Sequence, residues 1–348
     1  MAESQVFRRP ALPLAPRDVK RPRLDEGALV PVEGTRKEEN GQQRPSSLQS
    51  PIMLLTGHEG EIFGARFSHD GNILASVGFD MKIFLWNARG ECENFSTITG
   101  HKGAIMDVHF NTDTRQFFYN YFDYLYTCST DKTVRVWDME TGVCVRRFRS
   151  HSDFVNGCHP ARRGPDIVCS GSDDGTIQVH DLRKRKPAII FENINKYQVT
   201  TVTFNDTAEL VWDIRKNSLL HSMHGHSDTV TGLCLSPDGS FVLSNAMDSR
   251  IWDIRPYSTS QRCVKTLSGH QHNFEKNLLR CAWSPDSHRV SCGSSDRFVY
   301  VWDVGSRNIA YKLPGHQGSV NAVDFHPTEP IILSAGSDKR IFLGELTR

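Results

Sequence analysis

Histidine, aspartate and serine or threonine residues recur at regular intervals along this chain of 348 residues. Such side chains could transfer protons or bind a metal ion, because imidazole and carboxylate groups do both. Six histidines, each preceded by glycine or serine, begin similar segments that close on a tryptophan-aspartate pair or its equivalent. They are His58, His101, His151, His226, His270 and His316. This regularity indicates one structural unit used repeatedly.

Spacing inside the unit favours a structural role over catalysis or metal binding. In the second repeat, Asp131 lies six residues before Trp137, and Thr127 lies four residues before Asp131. With His101, these residues can form one hydrogen-bonded chain, which satisfies the imidazole and indole N–H groups when they are buried. We expect such networks to include His58, Asp80, Trp86, His101, Thr127, Asp131, Trp137, His151, Ser170, Asp174, His270, Asp296, Trp302, His316, Ser334 and Asp338.

The elements that position these side chains are short β-strands. Apolar and polar residues alternate at 134–137 and 298–301, which predicts half-buried strands. The closing pairs recur about every forty residues, which is typical of a β-propeller blade. Seven closing positions predict an all-β, seven-bladed propeller over residues 51–348. The strand at 52–55 is expected to pair with the last blade, because this removes an open sheet edge.

The fourth repeat is truncated. A strand at 200–204 is followed, after only seven residues, by Trp212, whereas intact repeats use about twenty. We therefore expect this blade to have three strands instead of four.

Residues 1–50 form a different region. Proline is frequent there, and residues 1–23 hold six Lys or Arg against two Asp or Glu. A segment of this composition buries too little apolar surface to order itself, so we expect a disordered tail. Lys20, Arg21 and Arg23 form a short basic run that a nuclear import receptor could bind.

Composition excludes several functional classes. The nine cysteines lack metal-site spacing, no apolar run is long enough to cross a membrane, and no phosphate-binding or hydrolase motif occurs. We expect no enzyme activity, cofactor, metal or small-molecule substrate. The net charge of +1 argues against avid RNA binding. Basic clusters at 146–147, 162–163 and 183–186 are interpreted as solvated loops, with RNA contact as the alternative.

These motifs resemble the WD-repeat family over residues 51–348. Longer stretches, including residues 160–165, 202–207, 244–248, 273–280, 296–303 and 311–316, are similar to the WD-repeat subunits of the spliceosomal U5 small nuclear ribonucleoprotein. The resemblance implies a nuclear, non-catalytic scaffold that supports protein–protein assembly in pre-mRNA splicing. Its expected partners are U5 and other spliceosomal proteins, and an indirect association with RNA is favoured over direct contact.

The sequence predicts two candidate contact sites, each of which has an alternative interpretation. The loop at 271–280 is longer than the repeat requires, so Phe274, Glu275 and Lys276 are the candidate partner contact, unless the loop packs on its own blade. In the alternative function, Arg215 and Arg255 follow Trp-Asp pairs as in substrate receptors of cullin–RING ubiquitin ligases. An arginine there could bind a partner carboxylate through its fork of N–H donors, or only pair within the propeller.

Overall fold

The computed structural model describes residues 45–111, 124–162, 166–192, 197–204, 212–213, 218–219, 226, 229–246, 249–253, 263–272 and 277–346. Contacts divide the chain into Met1–Gly41 and Gln42–Arg348, and every described strand belongs to the second unit. All regular structure in these ranges is β-strand. No helix long and apolar enough to span a membrane is found among the described residues.

Six four-stranded antiparallel sheets account for most of the described chain. Blade 1 contains β2 (Ile62–Phe67), β3 (Ile73–Gly78), β4 (Lys82–Asn87) and β5 (Asn94–Thr99). Blade 2 contains β6 (Ile105–Phe110), β7 (Tyr124–Ser129), β8 (Val134–Asp138) and β9 (Cys144–Phe148). Blade 3 contains β10 (Val155–Pro160), β11 (Ile167–Ser172), β12 (Thr176–Asp181) and β13 (Ile189–Glu192).

The remaining sheets follow the same order. Blade 5 contains β16 (Gly232–Leu235), β17 (Phe241–Asn245), β18 (Ser249–Asp253) and β19 (Cys263–Leu267). Blade 6 contains β20 (Cys281–Trp283), β21 (Arg289–Gly293), β22 (Val299–Asp303) and β23 (Ile309–Leu313). Blade 7 contains β24 (Val320–Phe325), β25 (Ile331–Gly336), β26 (Arg340–Glu345) and β1 (Ile52–Thr56).

The hydrophobic core lies between neighbouring sheets. Val77 and Ile83 of blade 1 pack in one buried cluster with Ile105 and Leu125 of blade 2. Equivalent clusters join blades 2 and 3, 5 and 6, 6 and 7, and 7 and 1. Because each blade buries its faces against its neighbours, no blade has a complete core of its own.

The two ends of the described chain meet in blade 7. β1, which contains residues 52–55, pairs antiparallel with β26, so that Leu55 lies opposite Ile341 and Met53 opposite Leu343. Leu48 lies upstream of the expected propeller boundary, yet it is buried and forms a bridge with Gly90. The ordered contacts therefore begin before residue 51, because an apolar side chain near the boundary finds a buried site.

The described part of the fourth repeat is smaller than expected. Only β14 (Trp212–Asp213) and β15 (Ser218–Leu219) pair there, in a two-stranded ladder. Residues 200–204 were expected to form a strand, but 201–204 carry no strand hydrogen bonds. Among the described residues the structure thus contains six complete blades and not the expected seven, and the fourth repeat shows a two-stranded ladder in place of the expected three strands. The shortage of residues before Trp212 is the physical reason, since a strand needs a partner to bond to.

Candidate functional site

The repeated polar residues form short hydrogen-bond chains in four blades. In blade 1, the His58 ring lies 2.8 Å from Asp80 Oδ2 through Nδ1 and 2.7 Å from Ser76 Oγ through Nε2. Trp86 Nε1 donates to the same Ser76 oxygen at 2.9 Å. The indole N–H donates at one end of this chain, the Asp80 carboxylate accepts at the other, and the Ser76 hydroxyl bonds both Trp86 and His58 Nε2 between them.

Blades 2, 3 and 7 contain the same pairing of histidine with aspartate and with serine or threonine, and blade 2 also contains the indole. His101 bonds Asp131 at 2.9 Å and Thr127 at 2.8 Å, and Trp137 Nε1 donates to Thr127 at 2.9 Å. The corresponding pairs are His151 with Asp174 at 2.9 Å and Ser170 at 2.8 Å, and His316 with Asp338 at 3.0 Å and Ser334 at 3.0 Å. The imidazoles are at most 3% exposed, so they face the blade interior and not a reactive cleft.

A tight turn between the second and third strands positions the aspartate of each network. Asp131 Oδ1 accepts hydrogen bonds from the N–H and the hydroxyl of Thr133. Lys132, between them, has a φ of 67°, and the equivalent residue of blade 3 is Gly175 with a φ of 77°. The aspartate therefore stabilises a left-handed turn residue that most side chains disfavour.

The ionisation states agree with this geometry. Burial outweighs the attraction of Asp131 and lowers the pKa of His101 below its ordinary value. Burial raises the pKa of Asp131, but hydrogen bonds from His101 and Thr133 outweigh it and lower that pKa well below its usual range. A neutral imidazole thus faces an ionised carboxylate near neutral pH. Both groups are occupied by structural bonds, which leaves neither available for general acid–base catalysis.

The expected network of blade 6 does not form, which corrects our assignment of His270, Asp296 and Trp302. His270 Nε2 lies 3.0 Å from Ala246 O, while Trp302 Nε1 donates to Ser268 O at 3.1 Å. Asp296 accepts from the Tyr300 hydroxyl at 2.6 Å. The cause is Cys292, which stands four residues before Asp296 where the other blades have serine or threonine. A thiol is too weak a donor and acceptor to join the three groups.

Histidine replaces tryptophan in blade 3. His180 Nε2 lies 3.2 Å from Ser170 Oγ, and its ring stacks on Phe148 at 4.5 Å. Its Nδ1 is buried without a hydrogen-bond partner among the described residues. Burial lowers the pKa of His180 to about 3, with a smaller contribution from His151.

This substitution predicts acid sensitivity. Because the folded pKa of His180 lies below the ordinary value of about 6.5, its stabilising effect is complete above that pH and is lost as pH falls from there toward 3. His180→Trp would restore the indole found in blades 1 and 2. We expect the unfolding free energy of the variant to fall less steeply between pH 6.5 and 4.5, by about 1.4 kcal/mol per pH unit. Urea titrations at several pH values measure this difference, and parallel curves for both proteins would contradict it.

The inner strands surround a channel whose charged residues were not anticipated. Arg280, next to β20, is 5% exposed and donates to Asn156 O of β10 at 2.6 Å. Its guanidinium also lies 3.5 Å from Asp107 Oδ2 of β6. Burial alone would raise the pKa of Asp107, but Arg280 and His109 outweigh it and lower it well below the usual range. One arginine therefore joins blade 6 to blades 2 and 3.

One sequence signal was available for this contact. Asp107 and Arg280 occupy positions in their inner segments where other repeats have the small residues Gly64, Gly157 and Gly232. A large charged residue at a position kept small elsewhere indicates a special contact, although it does not identify the partner.

A cavity of about 250 Å³ lies among the inner segments, and its lining includes Asp107 and Arg280. Arg66, His109, His159, Arg162 and Asp324 are among its lining residues. Arg66 Nη1 is paired with Asp324 Oδ1 at 3.2 Å, which joins blade 1 to blade 7. Within the described ranges, no group of three His, Cys, Asp or Glu side chains is arranged to hold a metal ion.

Several candidate contacts fall outside the described residues. These are Phe274, Glu275 and Lys276 of the long loop, Lys20, Arg21 and Arg23 of the tail, and the two arginines Arg215 and Arg255. Arg183 follows the pair His180-Asp181 at the same spacing as Arg215 follows Trp212-Asp213. Its side chain is 74% exposed and bonds Asp181 of its own blade at 2.8 and 2.9 Å. At this position the guanidinium pairs within its own blade, with the aspartate two residues before it.

Comparison with known proteins identifies the repeat. The WD domain, G-beta repeat family matches residues 49–87, 92–138, 142–181, 217–253, 261–303 and 307–343. It leaves the region around the truncated fourth repeat unmatched.

Relatives match nearly the whole chain. The mouse U5 small nuclear ribonucleoprotein 40 kDa protein is 52% identical over 99% of this chain and 100% of its own length. The protein of the same name from Dictyostelium discoideum is 46% identical over 92% of each chain. Pre-mRNA-splicing factor cwf17 of Schizosaccharomyces pombe is 39% identical over 94% of this chain and 95% of its own. The prediction of an all-β WD-repeat propeller is confirmed, and the chain belongs to the WD40 repeat family.

Proposed function

We propose that this protein is a non-catalytic scaffold subunit of the U5 small nuclear ribonucleoprotein and supports protein assembly in pre-mRNA splicing. The observation that carries this proposal is the similarity to proteins of that name over 99% of this chain and 100% of the mouse relative. The structure supports it physically, because the buried His and Asp side chains of four blades bond to one another. Functional contacts are then left to the loops and the outer strands.

The proposed architecture is a ring of seven repeats over residues 51–348, of which six are complete blades and repeat 4 is incomplete, preceded by a tail within residues 1–50 whose last residues, such as Leu48, contact the propeller. Thr200 Oγ1 of the fourth repeat donates to Val230 O of the fifth at 2.5 Å, and Asn156 Nδ2 of the third donates to Val199 O at 3.1 Å. These bonds support a fourth position in the ring between blades 3 and 5.

Partner binding is proposed at Phe274, Glu275 and Lys276. The triple alanine variant is expected to recover at least tenfold less of the large U5 proteins from nuclear extract, because it removes an apolar and two charged contacts together. Quantitative mass spectrometry of the tagged protein measures this. A matched triple variant, Lys184, Arg185 and Lys186 to alanine, alters an exposed segment of blade 3 and should retain its partners. Full recovery with the first variant would remove this loop as the contact.

The alternative function, a substrate receptor for a cullin–RING ubiquitin ligase, is separated by the same experiment. If the ligase adaptor is the main protein recovered, and if Arg215→Ala and Arg255→Ala abolish that recovery, the scaffold proposal is wrong.

Nuclear localisation is proposed to depend on the tail. Alanine at Lys20, Arg21 and Arg23 removes three positive charges that an acidic import receptor would bind. We expect the nuclear-to-cytoplasmic ratio of a fluorescent fusion to fall severalfold, with alanine at Arg36 and Lys37 as the charge control. The ratio is measured in the loop variant that no longer binds partners, so that no partner carries the protein into the nucleus. An unchanged ratio would contradict this role.

A further inference from the structure

One layer of equivalent residues belongs to the lining of the cavity among the inner segments. In each complete blade, one residue of the innermost strand lies opposite the residue just before the serine, threonine or cysteine at the centre of the repeat motif. The six residues at this position are Arg66, His109, His159, Cys234, Ala282 and Asp324. All but Ala282 line the cavity. Five blades therefore contribute equivalent side chains to one small space.

The charges that line this cavity do not balance. Arg66 pairs with Asp324 at 3.2 Å, and Arg280 lies 3.5 Å from Asp107. These two aspartates are the only acidic residues among the described lining residues. Arg162, which is half-buried, forms no ion pair with any residue in the described ranges. Three arginines thus face two aspartates, which leaves one positive charge without a counter-ion.

The histidines of the lining indicate the same positive potential. The rings of His109 and His159 lie 4.8 Å apart. Burial lowers the pKa of His159 well below its ordinary value, and the neighbouring His109 and Arg162 lower it further. A second cation is therefore disfavoured beside Arg162, whereas an anion would be attracted to the same place.

Arg280 supplies an independent indication of a ligand. The residue lines the cavity and is 5% exposed. Its Nη2 donates to Asn156 O at 2.6 Å, but its buried Nε has no hydrogen-bond partner among the described residues. A buried guanidinium donor without an acceptor is costly, so an acceptor brought by a ligand would be favourable here.

The arrangement of the donors fits a phosphate group better than a carboxylate. Arg66 belongs to blade 1, Arg162 follows the innermost strand of blade 3, and Arg280 precedes that of blade 6. Donors on three separate blades approach from several directions. The oxygens of a phosphate point in tetrahedral directions and can accept from all of them, whereas the two oxygens of a carboxylate lie in one plane.

The size and the walls of the cavity indicate an organic phosphate with few carbon atoms. A volume of about 250 Å³ is near the lower end for ligand cavities. Apolar side chains also line it, among them Phe67, Phe110, Leu235 and Phe325. These side chains would contact the carbon atoms of a phosphate ester, but they offer nothing to inorganic phosphate.

We propose that this cavity binds the phosphate group of a phosphate monoester, carried either by a small molecule or by a phosphorylated serine. Arg162 would supply the uncompensated charge, and Arg66 and Arg280 would supply further donors. The apolar walls would contact the carbon atoms next to the ester oxygen. This site does not depend on the proposed splicing function.

The test is calorimetric titration of the full chain in a buffer free of phosphate and sulfate. The probe is N-acetyl-O-phosphoserine amide, and the control ligands are the corresponding aspartate and serine amides. We expect the probe to bind one to one with a dissociation constant below about 1 mM. It should bind at least tenfold more tightly than the aspartate amide, and the serine amide should not bind. Equal binding of the phosphoserine and aspartate amides, or no binding of the probe, would overturn the proposal.

Arg162→Met tests the assigned cation. Because Arg162 has no ion pair among the described residues, the variant should keep the natural midpoint of thermal unfolding, while its affinity for the probe should fall at least tenfold. Arg185→Met is the matched control, since Arg185 is an exposed arginine of the same blade and does not line the cavity. Equal affinities of these two variants would overturn the proposal.

A variant with the opposite effect keeps the test decisive if Arg162→Met does not fold. Asp324→Asn removes a negative charge from the lining and releases Arg66 from its ion pair. The amide oxygen can still accept from the Phe67 N–H, as the carboxylate does at 3.0 Å. We expect this variant to bind the probe at least threefold more tightly, a gain that loss of structure cannot produce. Unchanged or weaker binding would contradict the proposed site.

A longer probe distinguishes the two sources of the phosphate group. A nine-residue peptide with one central phosphoserine flanked by alanine and glycine is compared with the single-residue probe. Tighter binding of the peptide, by at least tenfold, would assign the cavity to a phosphorylated segment of a protein. Weaker binding of the peptide would assign it to a small phosphate ester. If neither ligand binds, the proposal is wrong.

Discussion

Replacing Arg280 with methionine is expected to destabilise the folded protein by about 3–5 kcal/mol. The variant keeps the aliphatic length of the side chain but removes the cation that pairs with the Asp107 carboxylate. That carboxylate is only 7% exposed in the natural protein, so it would be left buried and unpaired with Arg280. It also removes the bond to Asn156 O, so blade 6 loses its connection to blades 2 and 3. Guanidinium titration followed by tryptophan fluorescence measures the change.

Arg183→Met is the matched control for this prediction. Arg183 also pairs with an aspartate at 2.8 Å, but its side chain is 74% exposed. Since exposed ion pairs contribute about 0–1 kcal/mol, this variant should unfold near the natural midpoint. Adding Asp107→Leu to Arg280→Met removes the unpaired charge and should restore most of the lost stability, because buried ion pairs and apolar replacements are often nearly equal in energy. Equal midpoints for the two arginine variants would show that the channel contact has no structural role.

Loss of β1, the strand that closes the ring, is also expected to destabilise the folded protein strongly. Leu55 and Met53 of β1 are 4% and 5% exposed and belong to the cluster that joins blades 7 and 1. Leu55→Ala should cost about 2–5 kcal/mol. Deletion of residues 51–56 should abolish cooperative unfolding, because it also removes the whole β1–β26 ladder and leaves an open sheet edge.

The strand provides its own control. Ile52 lies on the opposite face of β1 and is 64% exposed, so Ile52→Ala should change stability by less than about 0.5 kcal/mol. The same denaturation measurement compares the two substitutions. If Leu55→Ala and Ile52→Ala unfold at the same denaturant concentration, β1 does not close the ring in solution.

Sequence spacing is informative where the contacts are set within one repeat. The four-residue offset from Ser170 to Asp174 and the position of His151 are sufficient to place three side chains together, because the blade turns are short and similar. The same spacing fails at His270, Asp296 and Trp302, since a single atom change at Cys292 removes the central hydroxyl. The spacing of residues does not show whether the side chain between histidine and tryptophan can form both hydrogen bonds.

Contacts between distant repeats could not be predicted in this way. Arg280 and Asp107 are far apart in sequence, and their pairing depends on the geometry of the ring. The number of blades was also overestimated, because closing pairs such as Trp212-Asp213 persist in the truncated repeat although too few residues remain for a full sheet. The positions of the motifs indicate how many repeats a chain has. A complete blade also requires enough residues between the motifs to form four strands.

In the proposed function, this ring holds spliceosomal components together through its outer surfaces. The most direct test is to purify the tagged protein from nuclear extract and sequence the small nuclear RNAs that accompany it. The proposal predicts strong enrichment of U5 RNA over U1 RNA, together with the large U5 proteins. Recovery of the protein with neither U5 RNA nor U5 proteins would contradict it.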